Sequence, residues 1–128
     1  MTEQGPLTRK VMEYQEVMKR LVPSAHEPQD WDPLAQLVAV DEFERVGTFR
    51  EVHNWQQYVQ MLCQWAGSIG TFETTVKQIT ELPGLVYFEI EERHFAGERT
   101  TVVNSLTVFE FDGDEKVRNI RVYLQQAR

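Results

Sequence analysis

Glu92 and His94 stand two residues apart in FEIEERHFAG, Phe88 to Gly97, where the alternation of Val86, Phe88 and Ile90 would have continued with hydrocarbon. In an extended chain, side chains two apart leave the same face with Cβ atoms about 6–7 Å apart. A carboxylate and an imidazole so placed reach a shared substrate, or each other through a water. Imidazole is the commonest general base because it titrates near neutrality, and a nearby carboxylate orients it. With Tyr14 as a hydrogen-bond donor, the pair could take a proton from beside a carbonyl while the phenol stabilises the enolate oxygen. The competing reading leaves both solvated at the hairpin end beside the AGER turn, because Glu89 to Arg93 is already charged.

A second cluster, Asp41, Glu42, Glu44 and Arg45, crowds into five residues. If Val40 and Val46 point inward, Glu44 does too and is the alternative catalytic carboxylate. If Phe43 points inward, Arg45 is the pocket residue, and a third reading makes the cluster salt-bridged surface. No metal is expected, since Glu92 and His94 supply two ligands, His26 and His53 lie in loops, and zinc sites normally need three or more. Cys63 sits among apolar neighbours in a helical pattern and reads as a small hydrophobe rather than a nucleophile. No nucleophile elbow or phosphate-cradling glycine loop is present, and no cofactor is expected.

The elements that must hold these groups follow from periodicity. Leu7, Val11, Tyr14, Met18 and Leu21 recur at steps of three and four, which predicts an amphipathic helix over 7–22 with Tyr14 in mid-stripe. Pro6 suits its first turn and Pro23 closes it. A Pro-rich loop then leads to Asp32 as N-cap of a short helix over 33–38. Residues 39–47, AVDEFERVG, read as a strand of ambiguous phase. Asn54 and Gln57 have capping-box spacing, and Trp55, Val59, Leu62 and Ala66, flanked by Tyr58 and Trp65, predict a third helix that Gly67 and Gly70 end. Four strands follow, over 72–82, 85–95, 99–111 and 117–125, broken by Pro83-Gly84, Ala96-Gly97-Glu98 and DGDEK. Helices first and an antiparallel meander afterwards is an α+β pattern, with a curved sheet closing over helices on one face.

At 128 residues the chain reads as a single domain, 1–128, with enough bulk for its own core. Thirteen Lys and Arg against 20 Asp and Glu give a net charge of −7, which argues against nucleic acid, whose phosphates need clustered cations. No apolar run is long enough to span a bilayer. One cysteine and an N-terminus, MTEQGPLTRK, without a charged-then-apolar layout point to the reducing cytoplasm.

With this order of elements, and a tail TVVNSLTVFEFDGDEKVRNIRVYLQQ that resembles an aromatic-rich closing hairpin, the chain is similar to the nuclear-transport-factor-2-like superfamily. That superfamily includes ketosteroid isomerases, SnoaL-like polyketide cyclases, limonene epoxide hydrolase and scytalone dehydratase. The resemblance implies three N-terminal helices packed on a mostly antiparallel sheet that forms a cone with an internal pocket, and pairing of two subunits through the outer sheet face. It places Tyr14 at the first-helix oxyanion tyrosine of the isomerases. Their second donor falls near Thr107 and their base near Val46, so neither acid is present, Glu44 being the nearest carboxylate. Of the epoxide hydrolase trio, the arginine and first aspartate fall near Ile90 and Glu92 and the second aspartate near Val122, so Glu92 alone keeps a carboxylate.

The same phase turns Ser105 and Thr107 into the pocket with Ile120 and Val122, and turns Leu106, Val108 and Tyr123 outward as an apolar dimer face. Trp55, Phe88 and Ile90 complete the expected wall. Trp31 reads either as core or as a lid over the mouth. The expected function is acid–base chemistry of the isomerase, cyclase, dehydratase or hydrolase kind on a hydrophobic small molecule. The alternative is a non-catalytic ligand-binding or protein-interaction module in the same cone.

Overall fold

The computed structural model describes residues 5–126. Helix α1 spans Pro6–Leu21, α2 Asp32–Ala35 and α3 Trp55–Ser68. The strands are β1 Glu44–Val46, β2 Val52–His53, β3 Thr71–Leu82, β4 Leu85–Ala96, β5 Arg99–Phe111 and β6 Val117–Gln126. They form one sheet in the order β2-β1-β6-β5-β4-β3, antiparallel except where β1 runs parallel to β6. This is an α+β fold, with the helices packed on a mostly antiparallel sheet.

Local chemistry accounts for most of the boundaries. Pro6 opens α1, where its missing N–H costs nothing. The Asn54 side chain accepts from the Gln57 N–H while the Gln57 side chain accepts from the Asn54 N–H, both at 2.9 Å, so α3 starts with a full capping box. The β3–β4 and β4–β5 turns carry Gly84 at φ 74° and Gly97 at φ 62°, left-handed conformations that a β-carbon would strain. The second helix is shorter than the 33–38 expected, because i→i+3 bonds from Leu37 N–H and Val38 N–H tighten the chain out of it. Asp32 begins that helix rather than capping it, and the capping box here is Glu27 with Asp30, one turn earlier. The strand expected over 39–47 contracts to three residues, since Ala39 and Glu42 close a turn before it. Its partner β2 was not foreseen.

The core lies between the helices and the sheet face they cover. Val86, Phe88 and Ile90 of β4 are buried there with Phe109, Phe111, Val117 and Ile120, against Val11, Tyr14 and Met18 of α1 and Leu62 and Ala66 of α3. Each fully buried side chain of this size contributes about 1.5–3 kcal/mol. Beyond this packing, α1 is tied to the sheet by a carboxylate: Glu81 on β3 accepts from the Thr8 N–H at 2.7 Å and the Thr8 hydroxyl at 2.8 Å. Gly5 offers no side-chain cap, so a residue 73 positions away caps the positive end of the helix that carries Tyr14. Desolvation pushes the Glu81 carboxyl up, but the bonds from Thr8 and Leu7 and the charge of Arg9 outweigh it and hold the group below its ordinary value of 4.5.

A lowered carboxyl favours the folded state while ionised. The stability advantage of wild type over Glu81→Gln is therefore expected in full above about pH 4.5 and is lost as the pH falls through the lowered value. Urea unfolding of both proteins across that range checks this, and a difference that did not change with pH would contradict it.

Candidate active site

A cavity of about 220 Å³ opens between α1, α3 and the helix-covered face of β4, β5 and β6. Its wall is largely hydrocarbon and aromatic, and apart from Gln15 on α1 its polar groups fall into three sets.

The first set is the pair on β4. Glu92 and His94 both face the cavity, and Nε2 of His94 lies 3.2 Å from Oε1 of Glu92, a direct contact rather than one through water. Their side chains are 20% and 19% exposed, so they are not in the solvated position of the competing reading. The ring of His94 is held edge-on by Trp65 at 5.7 Å and Phe72 at 6.2 Å between centroids. With Glu92 ionised, Nε2–H donates to it and Nδ1 keeps the lone pair that a base requires.

The second set lies deeper. The hydroxyls of Tyr14 and Tyr58 are 3.2 Å apart, and the Tyr14 ring packs edge-on to Phe109 at 5.4 Å. Burial pushes the Tyr14 hydroxyl well above the ordinary tyrosine range, and the adjoining Tyr58 adds to the rise. Burial also raises Tyr58, and the Arg45 guanidinium beside it holds that rise back. Both phenols therefore stay protonated as donors. Tyr58 was read in the sequence merely as a flank of the α3 stripe. Its signal was there, three residues before Met61 and seven before Trp65, which also line the cavity.

The third set is Arg45 on β1, with Ser105 and Thr107 on β5, whose hydroxyls are 3.1 Å apart. The ambiguous phase of β1 resolves with Phe43 inward, stacked on Tyr58 at 5.5 Å and edge-on to Trp55 at 5.3 Å. Burying an aromatic ring there outweighs burying Val40 and Val46, and alternation carries Arg45 inward with it. Glu44 consequently points to solvent, exposed and away from the cavity, which corrects its reading as the alternative carboxylate. The two tryptophans are also placed, the open reading of Trp31 and the expected wall position of Trp55. Trp31 is fully buried in the core, not a lid, because the turn Pro28–Trp31 folds it beneath the helices. Trp55 packs on Phe43 and Tyr58, behind the wall rather than on it. Phe88, Ile90, Ile120 and Val122 do line the cavity, as does Gln15, a buried polar residue of α1 that the apolar stripe had hidden.

Among the described residues, no three His, Cys, Asp or Glu side chains come together as a metal site would require, and no helix is long and apolar enough to cross a membrane.

No protein-family model matches the sequence, nor does any curated protein. Solved structures do match by shape. An NTF2-like protein from Anabaena variabilis superposes with a TM-score of 0.77 at 13% identity, covering 99% of this chain and 96% of that one. The chain has the nuclear-transport-factor-2-like fold. Within that fold it is also similar to a SnoaL-like protein of polyketide-cyclase type from Shewanella denitrificans, with a TM-score of 0.76 at 10% identity over 95% of this chain and 92% of that one. A third similar structure is an LEH-like epoxide hydrolase from M. tuberculosis, with a TM-score of 0.68 at 17% identity over 91% and 84% of the two chains. Identities this low speak for the nuclear-transport-factor-2-like architecture, and the chemistry has to be read from the cavity itself.

Proposed function

We propose that this protein is a cofactor-independent acid–base catalyst that moves a proton on a compact hydrophobic molecule bound in the cone. The observation that carries this reading is the convergence of a hydrogen-bonded Glu92–His94 pair and a buried Tyr14–Tyr58 donor pair on one cavity. His94 takes the proton at Nδ1, Glu92 orients the ring and balances its charge, and the tyrosines donate to the oxygen where negative charge develops. A shape relation to SnoaL-like, epoxide-hydrolase-like and isomerase-like structures supports catalysis of this kind, though not a particular reaction. A water occupies about 30 Å³ of liquid, so a cavity of 220 Å³ suits a one- or two-ring molecule better than a long polycycle.

The test is exchange of the α-protons of β-tetralone, a bicyclic ketone, in deuterated buffer followed by NMR. Enzyme-dependent wash-in supports proton transfer. Saturable binding of the ketone without exchange would favour the non-catalytic binding module.

The outer sheet face is proposed as a homodimer surface and the reducing cytoplasm as the setting, in keeping with the single free thiol of Cys63. Leu106 is 37% and Tyr123 56% exposed on that face, while Val108, expected to be exposed with them, is buried between its cross-strand neighbours Tyr87 and Arg121. Sedimentation is expected to show a dimer that the pair Leu106→Lys and Tyr123→Lys converts to a folded monomer. A wild-type protein sedimenting at 15.0 kDa would contradict the dimer.

A further inference from the structure

We infer that the ligand of the cavity is an anion, a compact hydrophobic molecule whose carboxylate is held by Arg45. The inference rests on reading the cavity as a small-molecule site. Arg45 lines that cavity with its side chain 14% exposed. A guanidinium is a permanent cation with five N–H donors, and burying one is strongly unfavourable unless anions or acceptors meet it.

Its near contacts are the Tyr58 phenol, through both hydroxyl and ring, and a sulfur, none of them an anion. Nη1 lies 3.7 Å from Sδ of Met61, a weak acceptor, and Cζ sits over the Tyr58 ring at 5.3 Å from the centroid. The carboxylate it meets, Glu51, is 3.9 Å away, at the limit of an ion pair and outside hydrogen-bond range. The other oxygen of Glu51, Oε2, accepts from the Phe49 N–H at 3.0 Å, which holds the carboxylate back from closer approach. The carboxylate on the cavity wall itself, Glu92, is paired with His94. A planar cationic fork without a bidentate partner, facing an apolar cavity, matches the geometry of a ligand carboxylate. Anchoring and proton transfer then fall to different residues, Arg45 for the first and Glu92 with His94 for the second.

The test compares β-naphthoate with its neutral isostere β-naphthamide by titration calorimetry. Wild type is expected to prefer the carboxylate by about tenfold or more, the range of a charge-assisted hydrogen bond. Arg45→Met should remove that preference, weakening the naphthoate far more than the amide. Glu51→Gln removes the competing anion, keeps an oxygen for the Phe49 N–H, and should tighten the naphthoate alone, by about threefold. This second variant decides the matter if Arg45→Met does not fold. Equal affinity for the two compounds in wild type, or a preference that survives Arg45→Met, overturns the inference. A protein that binds neither yet exchanges β-tetralone also overturns it and leaves the proton-transfer reading standing. Naphthoate preference without any exchange does the reverse.

Discussion

His94→Ala is expected to lower the β-tetralone exchange rate by about 10²–10⁴, the range for loss of a positioned general base. The imidazole is the group that carries a lone pair into the cavity once Nε2–H is engaged by Glu92 at 3.2 Å. Glu92→Gln keeps an acceptor in the same place but removes the charge that stabilises the imidazolium, so a smaller loss is expected, on the order of tenfold. The ordering of the two losses assigns the roles: a near-complete loss in Glu92→Gln with a mild one in His94→Ala would make the carboxylate the base. His94 packs against Trp65 and Phe72, so each variant should be checked by thermal unfolding before its rate is read. Unchanged exchange in both folded variants would remove the catalytic assignment.

Tyr14→Phe is expected to lower the same rate by about 10²–10³, as removal of one oxyanion donor does elsewhere. Its effect on stability should be much smaller, about 1 kcal/mol, because Tyr58 keeps the Arg45 guanidinium beside it when its phenol partner is gone. The two tyrosines also give the protein an alkaline limit. Both hydroxyls are raised above 10.0 in the folded chain, chiefly by burial, so the folded state holds protons that the unfolded chain releases. The stabilisation that comes from keeping them neutral is complete below about pH 10 and is lost as the pH rises through that value toward the raised ones. Tyr14→Phe should flatten this alkaline decline, measured by urea unfolding as a function of pH. In an absorbance titration, the Tyr14 and Tyr58 contributions should appear above the ordinary tyrosine range.

Much of this was legible in the chain because the relevant signals are local. The period-two pattern of β4 and β5 determined that Glu92 and His94 share a face with Ile90, and that Ser105 and Thr107 share one with Phe109. The three- and four-residue steps of α1 determined that Tyr14 points inward. Turn chemistry placed the breaks of the meander to within a residue or two. For β1 the local signal was poor: its three residues and the turn at Ala39 to Glu42 leave too little alternation to choose between Glu44 and Arg45.

That choice was made by contacts distant in sequence, the packing of Phe43 on Trp55 and Tyr58 from α3. The same packing decided the partner of Tyr14, 44 residues away, and moved Trp55 from expected cavity wall to core, while burial chose the core reading for Trp31. Periodicity assigns a side chain to one face of its own element, and here it did so for α1, α3, β4, β5 and β6. Which faces meet depends on long-range burial of bulky side chains, an energy that no short window of sequence contains. So the amino-acid sequence by itself determined the fold class, the shared face of Glu92 and His94, and the inward tyrosine. Only the tertiary structure decided that these groups share one cavity, and that the residue answering them across it is the cation Arg45 rather than the carboxylate Glu44.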